Sequence, residues 1–181
     1  MKRATILALA LLLLGGCSTA PNVVTDFDRE ADFGRYQTFG FVEKSGETVE
    51  EQIVTLTEKR IRNEISQILQ QRGYQASANP DMLVNFRITT RTKQYASPAY
   101  AGYYSRFRFY PYHYGSIAVR EYKEGTIVID LVDAAQKQLI WQGAVSGKVT
   151  RDAAQAEANT REAVRTIMQQ YPHRAGRGVA S

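Results

Sequence analysis

From Met82 the chain alternates. Met82, Val84, Phe86 and Ile88 fall on one side, and Leu83, Asn85, Arg87 and Thr89 on the other. A period of two predicts a strand buried on one face, with Leu83 the one departure. The same period returns at Thr126–Val132, where Ile127, Ile129 and Leu131 share a side. Gly125 stands before that run and suggests a turn with positive φ. Asp133-Ala134-Ala135-Gln136 then reads as a turn, and Leu139-Ile140-Trp141-Gln142-Gly143 opens a partner strand running to about Val149, so the two runs predict a β-hairpin. Trp141 two places before Gly143 suggests a large ring packed beside bare backbone. Nearer the start, Val23–Phe27 and Tyr36–Val42 carry the β-branched and aromatic residues of strands, with a turn at Asp32–Tyr36 between them.

Two segments change to helical spacing. In the first, Ile53, Leu56, Ile61, Ile65, Ile68 and Leu69 make one apolar stripe, with Glu58, Arg62 and Gln70 on the other face. Thr48-Val49-Glu50-Glu51 has the form of a capping box, and Gly73 suits the position just past the end. In the second, Ala153 to Tyr171, the stripe is Ala153, Ala156, Ala163, Val164, Ile167 and Tyr171. Asp152 or Thr150 can cap it and Pro172 stops it. Asn79-Pro80-Asp81 is turn chemistry. The order is two strands, helix, strand, long aromatic segment, hairpin, helix. It predicts an α+β fold: a mostly antiparallel sheet with two helices packed on one face.

The N-terminus changes the picture of location. Lys2-Arg3 precedes an apolar run from Ala4 to Leu14, too short for the roughly 20 residues of a spanning helix. The run ends in Leu14-Gly15-Gly16-Cys17, which resembles the lipobox of bacterial lipoproteins. The resemblance implies a diacylglyceryl group on the Cys17 sulfur, cleavage before Cys17 and acylation of the new amine. More than one acyl chain makes a stable anchor. Ser18, rather than Asp, after the cysteine implies by the same analogy an outer-membrane destination, with the domain facing the periplasm. The expected division is a signal peptide at 1–16, a lipidated tether at 17–22, a single domain at 23–172 with an aromatic insertion at 95–115, and a mobile Gly-rich tail at 173–181.

Cysteine and charge then exclude several classes. Cys17 is the sole cysteine, so its lipid leaves no thiol for disulfides, redox work or nucleophilic catalysis. Of the 23 Lys and Arg, Lys2 and Arg3 leave with the signal; 21 then stand against 18 acidic residues, a net of about +3. No basic run is dense enough for nucleic acid. The two histidines, His113 and His173, lie apart in the sequence, and no His-x-x-x-His spacing, P-loop or nucleophile elbow is present. No metal or cofactor is expected. Carboxylates are the remaining raw material for acid–base work: Asp26, Asp28, Asp32, Asp81, Asp130 and Asp133. Asp81 and Asp133 are expected to fix turns, and Asp130 to point outward from its strand. No catalytic residue is assigned.

The feature with most to offer is the aromatic segment. Tyr95 to Tyr114 holds seven of the eleven tyrosines, with Pro98, Gly102, Pro111 and Gly115 as breakers of regular structure. Insertions of this length carry function or lack order. Three readings stay open: rings that seal a sheet edge or extend a hairpin, a recognition surface, or a disordered stretch. On the second, Tyr103, Tyr104, Phe107, Phe109, Tyr110 and Tyr112 supply rings, and Arg106 and Arg108 supply anion contacts. The partner is then an envelope protein or a cell-wall glycan.

With the elements laid out, Asp32–Phe39, Asn79–Phe86, Gly125–Asp133 with Leu139–Gly143, and Ala163–Pro172 resemble the landmarks of a bacterial lipoprotein family labelled domain of unknown function 4136. The resemblance implies a small α+β lipoprotein domain and carries no catalytic residue. The expected function is a non-catalytic outer-membrane lipoprotein with a binding or assembly role in the envelope. The alternatives are an accessory subunit of an envelope transport or assembly complex, and a hydrolase of cell-wall polymers.

Overall fold

The computed structural model describes residues 22–43, 54–99 and 116–179. Strand β1 is Val23–Phe27, followed by a single 3-10 turn at Phe33–Arg35 capped by the Asp32 side chain. Strand β2 is Thr38–Phe41, shorter at both ends than the sequence suggests. Helix α1 is Leu56–Gln71, then come the two-residue strand β3, Gln75–Ala76, and the long strands β4, Met82–Ala99, and β5, Ser116–Asp133. Strand β6 is Leu139–Lys148 and helix α2 is Ala153–Gln169. One mixed sheet has the order β1-β6-β5-β4-β2-β3. It is antiparallel from β1 to β4, while β2 runs parallel to both β4 and β3. The α+β architecture follows, with both helices on one face.

Alternation decides what lies beneath the helices. Met82 and Val84 of β4, Ile129 and Leu131 of β5, and Trp141 and Val145 of β6 are buried with Ile61, Ile65 and Leu69 of α1 and Val164, Ile167 and Met168 of α2. Gly143 is needed here: a Cβ on it would sit 2.5 Å from Trp141 Cη2 and 2.6 Å from Ile167 Cγ2. The bare strand residue lets α2 and the indole meet on the sheet.

The helix boundaries differ from expectation. The capping box that starts α1 is Thr55 with Glu58: Thr55 Oγ1 accepts from the Glu58 amide, and Glu58 accepts from the Thr55 amide. Thr48 and Glu51 lie outside the described residues, as does Ile53. Leu56 is the first helical residue and is 72% exposed, off the buried stripe. Arg62 is not on a far face. Its guanidinium lies 4.8 Å from the Phe41 ring centroid and donates to the Val42 carbonyl, so it roofs the edge of the core. At the other end Gly73 has φ +92, as a C-terminal cap requires.

The tail also differs. His173–Arg174, β7, pairs with Arg177–Val179, β8, where a mobile segment was expected. Gly176 takes φ +64 for the turn, and the amides of Ala175 and Gly176 donate to the carbonyls of Arg72 and Tyr36. His173 stacks on Phe33 with ring centroids 3.8 Å apart. Hydrogen bonds made far away in sequence therefore shape a stretch whose composition suggests none.

Candidate functional site

The sheet is uneven, and its unevenness makes a site. Strand β2 covers one edge of β4 only as far as Val84, and β6 covers β5 only to Glu124. One further backbone bond, from the Val149 amide to the Lys123 carbonyl, closes the packed body. From Thr92 and Lys123 onward, eight cross-strand pairs ending at Ala99 and Ser116 hold β4 and β5 to each other, with no third strand among the described residues. At ~3.3 Å per residue this two-stranded ribbon is about 26 Å long.

The ribbon corrects two readings of the sequence. Residues 116–124 are strand, and Gly125 sits within β5 opposite Thr90 rather than at a positive-φ turn. Pro98 lies within β4, opposite Ile117, rather than ending it. Pro98 is allowed there because, among the described residues, nothing pairs with this part of the outer edge of β4, where a missing N–H costs no ladder bond. The hairpin partner of β5 thus lies on both sides: β6 through the short turn, and β4 across the aromatic segment. Tyr103, Tyr104, Arg106, Phe107, Arg108, Phe109, Tyr110 and Tyr112 all lie outside the described residues, between the two ribbon strands. Of the seven clustered tyrosines, Tyr95 is described.

Rings and charges alternate along one ribbon face. Cross-strand pairs there are Arg91 with Glu124, Lys93 with Tyr122, and Tyr95 with Arg120. Tyr95 and Tyr122 meet edge to face at 5.9 Å, and Lys148 Nζ lies 5.9 Å from the Tyr122 ring centroid. Lys93 Nζ is 2.6 Å from Glu124, which pushes its pKa up through that hydrogen bond and charge. On the opposite face Gln94 donates to Glu121. Tyr95 is 45% exposed and Val119 63% exposed.

At the root of the ribbon, between the sheet and α2, lies an apolar groove of about 460 Å³. Ile88, Ile127 and Val145 form one wall and Ala156 and Ala163 the other, with Gly125 at the floor. Small side chains on α2 and bare backbone in β5 leave this end of the helix–sheet interface unfilled.

Each of the candidate carboxylates accepts hydrogen bonds from the protein itself. Asp130 is not turned to solvent: it is 4% exposed, accepting from Arg87 at 2.6 Å, Gln142 at 2.6 Å and Asn85 at 3.4 Å. These neighbours come from β4 and β6, whose register the sequence pattern does not state. Asp133 lies on the other face of β5, wholly buried, and accepts from the Ala135 and Gln136 amides, the Tyr36 hydroxyl and Arg35. Asp81 accepts from the amides of Gln37 and Thr38 and from the Thr38 hydroxyl. Those bonds, the Gln37 amide foremost, hold its carboxyl below the ordinary range. Asp28 accepts from Glu30 and Gln138, and Asp26 from the Phe27 amide. The structure brings no two of them face to face across a cleft. Among the described residues no group of three His, Cys, Asp or Glu side chains is gathered as a metal site.

A family model described as "Domain of unknown function (DUF4136)" matches residues 23–173. No curated protein matches the chain. Among solved structures, a PDZ domain protein from Parabacteroides distasonis is similar, with 20% identity and a TM-score of 0.50. The match covers 87% of this chain and 37% of that one, so the likeness concerns a part of that protein and shows fold alone. Two PelC dodecamer structures from Paraburkholderia phytofirmans match at 8% and 9% identity with TM-scores of 0.45. They cover 81% and 86% of this chain, and 93% and 99% of those chains.

Proposed function

The chain belongs to the DUF4136 family, and from that premise we propose that it is a non-catalytic outer-membrane lipoprotein, anchored through Cys17 and facing the periplasm, that serves the envelope by binding. Its contact surface is the Tyr-rich end of the β4–β5 ribbon. The observation that carries this reading is the ribbon itself: eight cross-strand pairs that extend past the core, the first four of them displaying rings and charges. Asp130 and Asp133 point to opposite faces of one strand and are each held by several donors, which favours binding over hydrolysis, since a glycosidase needs two carboxylates facing one cleft.

Two measurements test it. Cys17→Ala is expected to abolish incorporation of radiolabelled palmitate; retained label overturns the anchor. Tyr103, Tyr104, Phe107 and Phe109 changed together to Ser are expected to abolish crosslinking of the protein to its envelope contacts while Tm stays unchanged. A large fall in Tm assigns those rings to the core and overturns the contact surface.

A second reading has its own observation. Among the described residues nothing pairs with the outer edges of β4 beyond Phe86 and of β5 before Lys123, and such edges are templates for an added strand. They suit an accessory subunit that pairs edge to edge with a partner in an envelope complex.

A further inference from the structure

The direction of β1 relates the tether to the ribbon. Val23 pairs with Val145, Val145 with Ile127, and Ile127 with Ile88, so these four share one row across the sheet. From that row β1 runs away from the ribbon, so the chain before Val23 leaves the sheet at the ribbon's end of the molecule. Cys17 is six residues before Val23, and six extended residues reach at most about 22 Å. From the same row the ribbon continues eleven residues to Ala99 and Ser116, about 36 Å at ~3.3 Å each. The ribbon therefore outreaches the tether on the same side. A bilayer holding Cys17 is nearer than the ribbon's far end.

The ribbon's chemistry suits that surface. Its described rows carry three exposed cations, Lys93, Arg120 and Lys123, against Glu121. Lys93 is paired with Glu124 at the root of the ribbon, so Arg120 and Lys123 are the cations it offers to a lipid surface. Tyrosine and basic residues side by side are the composition of a membrane–water interface: rings sit at the headgroup level and cations are drawn to anionic lipid. The aliphatic side chain of Val119 stands out on the ribbon's other face, which also carries Lys123 and Glu121.

We propose that the partner of the β4–β5 ribbon is the lipid surface of the membrane to which the chain is tethered, with the ribbon lying along the headgroups. This rests on the lipoprotein reading and names the partner of the same surface. The ribbon then acts as a second contact that orients the domain, and the opposite end, with the turn at Ala134–Gln138, faces away.

The test uses the full lipidated chain in vesicles of phosphatidylethanolamine and phosphatidylglycerol doped with a bromine-labelled phospholipid. Val119→Trp places a reporter on one face of the ribbon and Tyr95→Trp one on the other face and the other strand, so that whichever face lies on the lipid is read. Gln136→Trp reports from the far end, and the buried Trp141 is the common background. The expected result is a blue shift and loss of most ribbon-Trp emission, with the Gln136→Trp signal unchanged. Unquenched ribbon reporters overturn the lipid contact, and equal quenching at both ends overturns the orientation. If only an added envelope protein shifts the ribbon emission, the partner is a protein and the proposal fails. Mass spectrometry of the mature N-terminal peptide reads the anchor separately. A lipidated Cys17 with unquenched ribbon reporters rejects the ribbon contact alone, whereas an unmodified Cys17 removes the anchor and the orientation together.

Discussion

The hydroxyl of Tyr36 donates to the carboxylate of Asp133 at 3.0 Å, tying the segment before β2 to the end of β5. Burial first, and then this bond, push the Tyr36 phenol from 10.0 up to about 12. The unfolded chain releases that proton near the ordinary value, so the folded state binds more protons between the two. The stabilising contribution is whole below pH 10 and is lost as pH rises toward 12. Asp133 works in the other direction. Burial raises its carboxyl, but the amides of Gln136 and Ala135, the Tyr36 hydroxyl and Arg35 outweigh that and hold it below 3.8. Its contribution is present above the ordinary carboxylate value and is lost as pH falls through the folded one. Tyr36→Phe is expected to cost about 1–2 kcal/mol at neutral pH and to flatten the alkaline fall in stability. Burial also raises Tyr74 and Tyr171, so the fall shrinks rather than disappears. Urea unfolding from pH 7 upward checks this, and an unaltered alkaline limb rejects it.

Gly143 and Gly147 lie on the same strand in opposite circumstances. A Cβ at Gly143 meets Trp141 and Ile167 well inside contact distance, while one at Gly147 meets nothing within 4 Å. Overpacking of this kind costs about 1–3 kcal/mol. Gly143→Ala is expected to lose at least that in chemical denaturation, and Gly147→Ala to leave the midpoint near that of the parent. Equal effects at the two sites contradict the packing described.

Thr55, rather than Thr48, starts the first helix. Thr55→Ala removes the acceptor for the Glu58 amide and is expected to destabilise by about 1 kcal/mol. Thr48→Ala is expected to leave Tm unchanged. A larger effect at Thr48 than at Thr55 would move the helix start.

Arg72 sits where both helices end. Its guanidinium donates to the carbonyls of Met168, Tyr171 and His173 and lies 5.7 Å from the Tyr171 ring centroid. It thus caps α2 from the end of α1. Arg72→Met keeps the apolar stem but leaves those carbonyls without their donor, an expected loss of about 2–3 kcal/mol. Amide exchange at Ala175, which donates to the Arg72 carbonyl, is expected to quicken as the β7–β8 hairpin loosens. Unchanged protection there rejects the coupling.

Much of the architecture was legible in local pattern. The periods at Met82–Phe86 and Ile127–Leu131, the stripe Ile61–Ile65–Leu69 and the Trp141–Gly143 pair each name their core-facing side correctly, because alternation and helical spacing encode a face directly, whereas Ile88, next in the first period, is exposed at the open end of the sheet. Cap identity was not legible. Both Thr48 and Thr55 stand three residues before a glutamate, and only the observed start of the helix separates them.

By itself the sequence determined the class of the fold, the helix and strand faces, and a cysteine at the end of a short apolar leader. These depend on neighbours within a few residues. Tertiary structure alone decided that Asp130 is buried among Arg87, Gln142 and Asn85, that the Gly-rich tail pairs as β7 and β8, and that β4 and β5 run on together beyond the core. Each depends on which strands lie side by side and in what register, and long-range backbone pairing sets that without leaving a periodic mark in either segment.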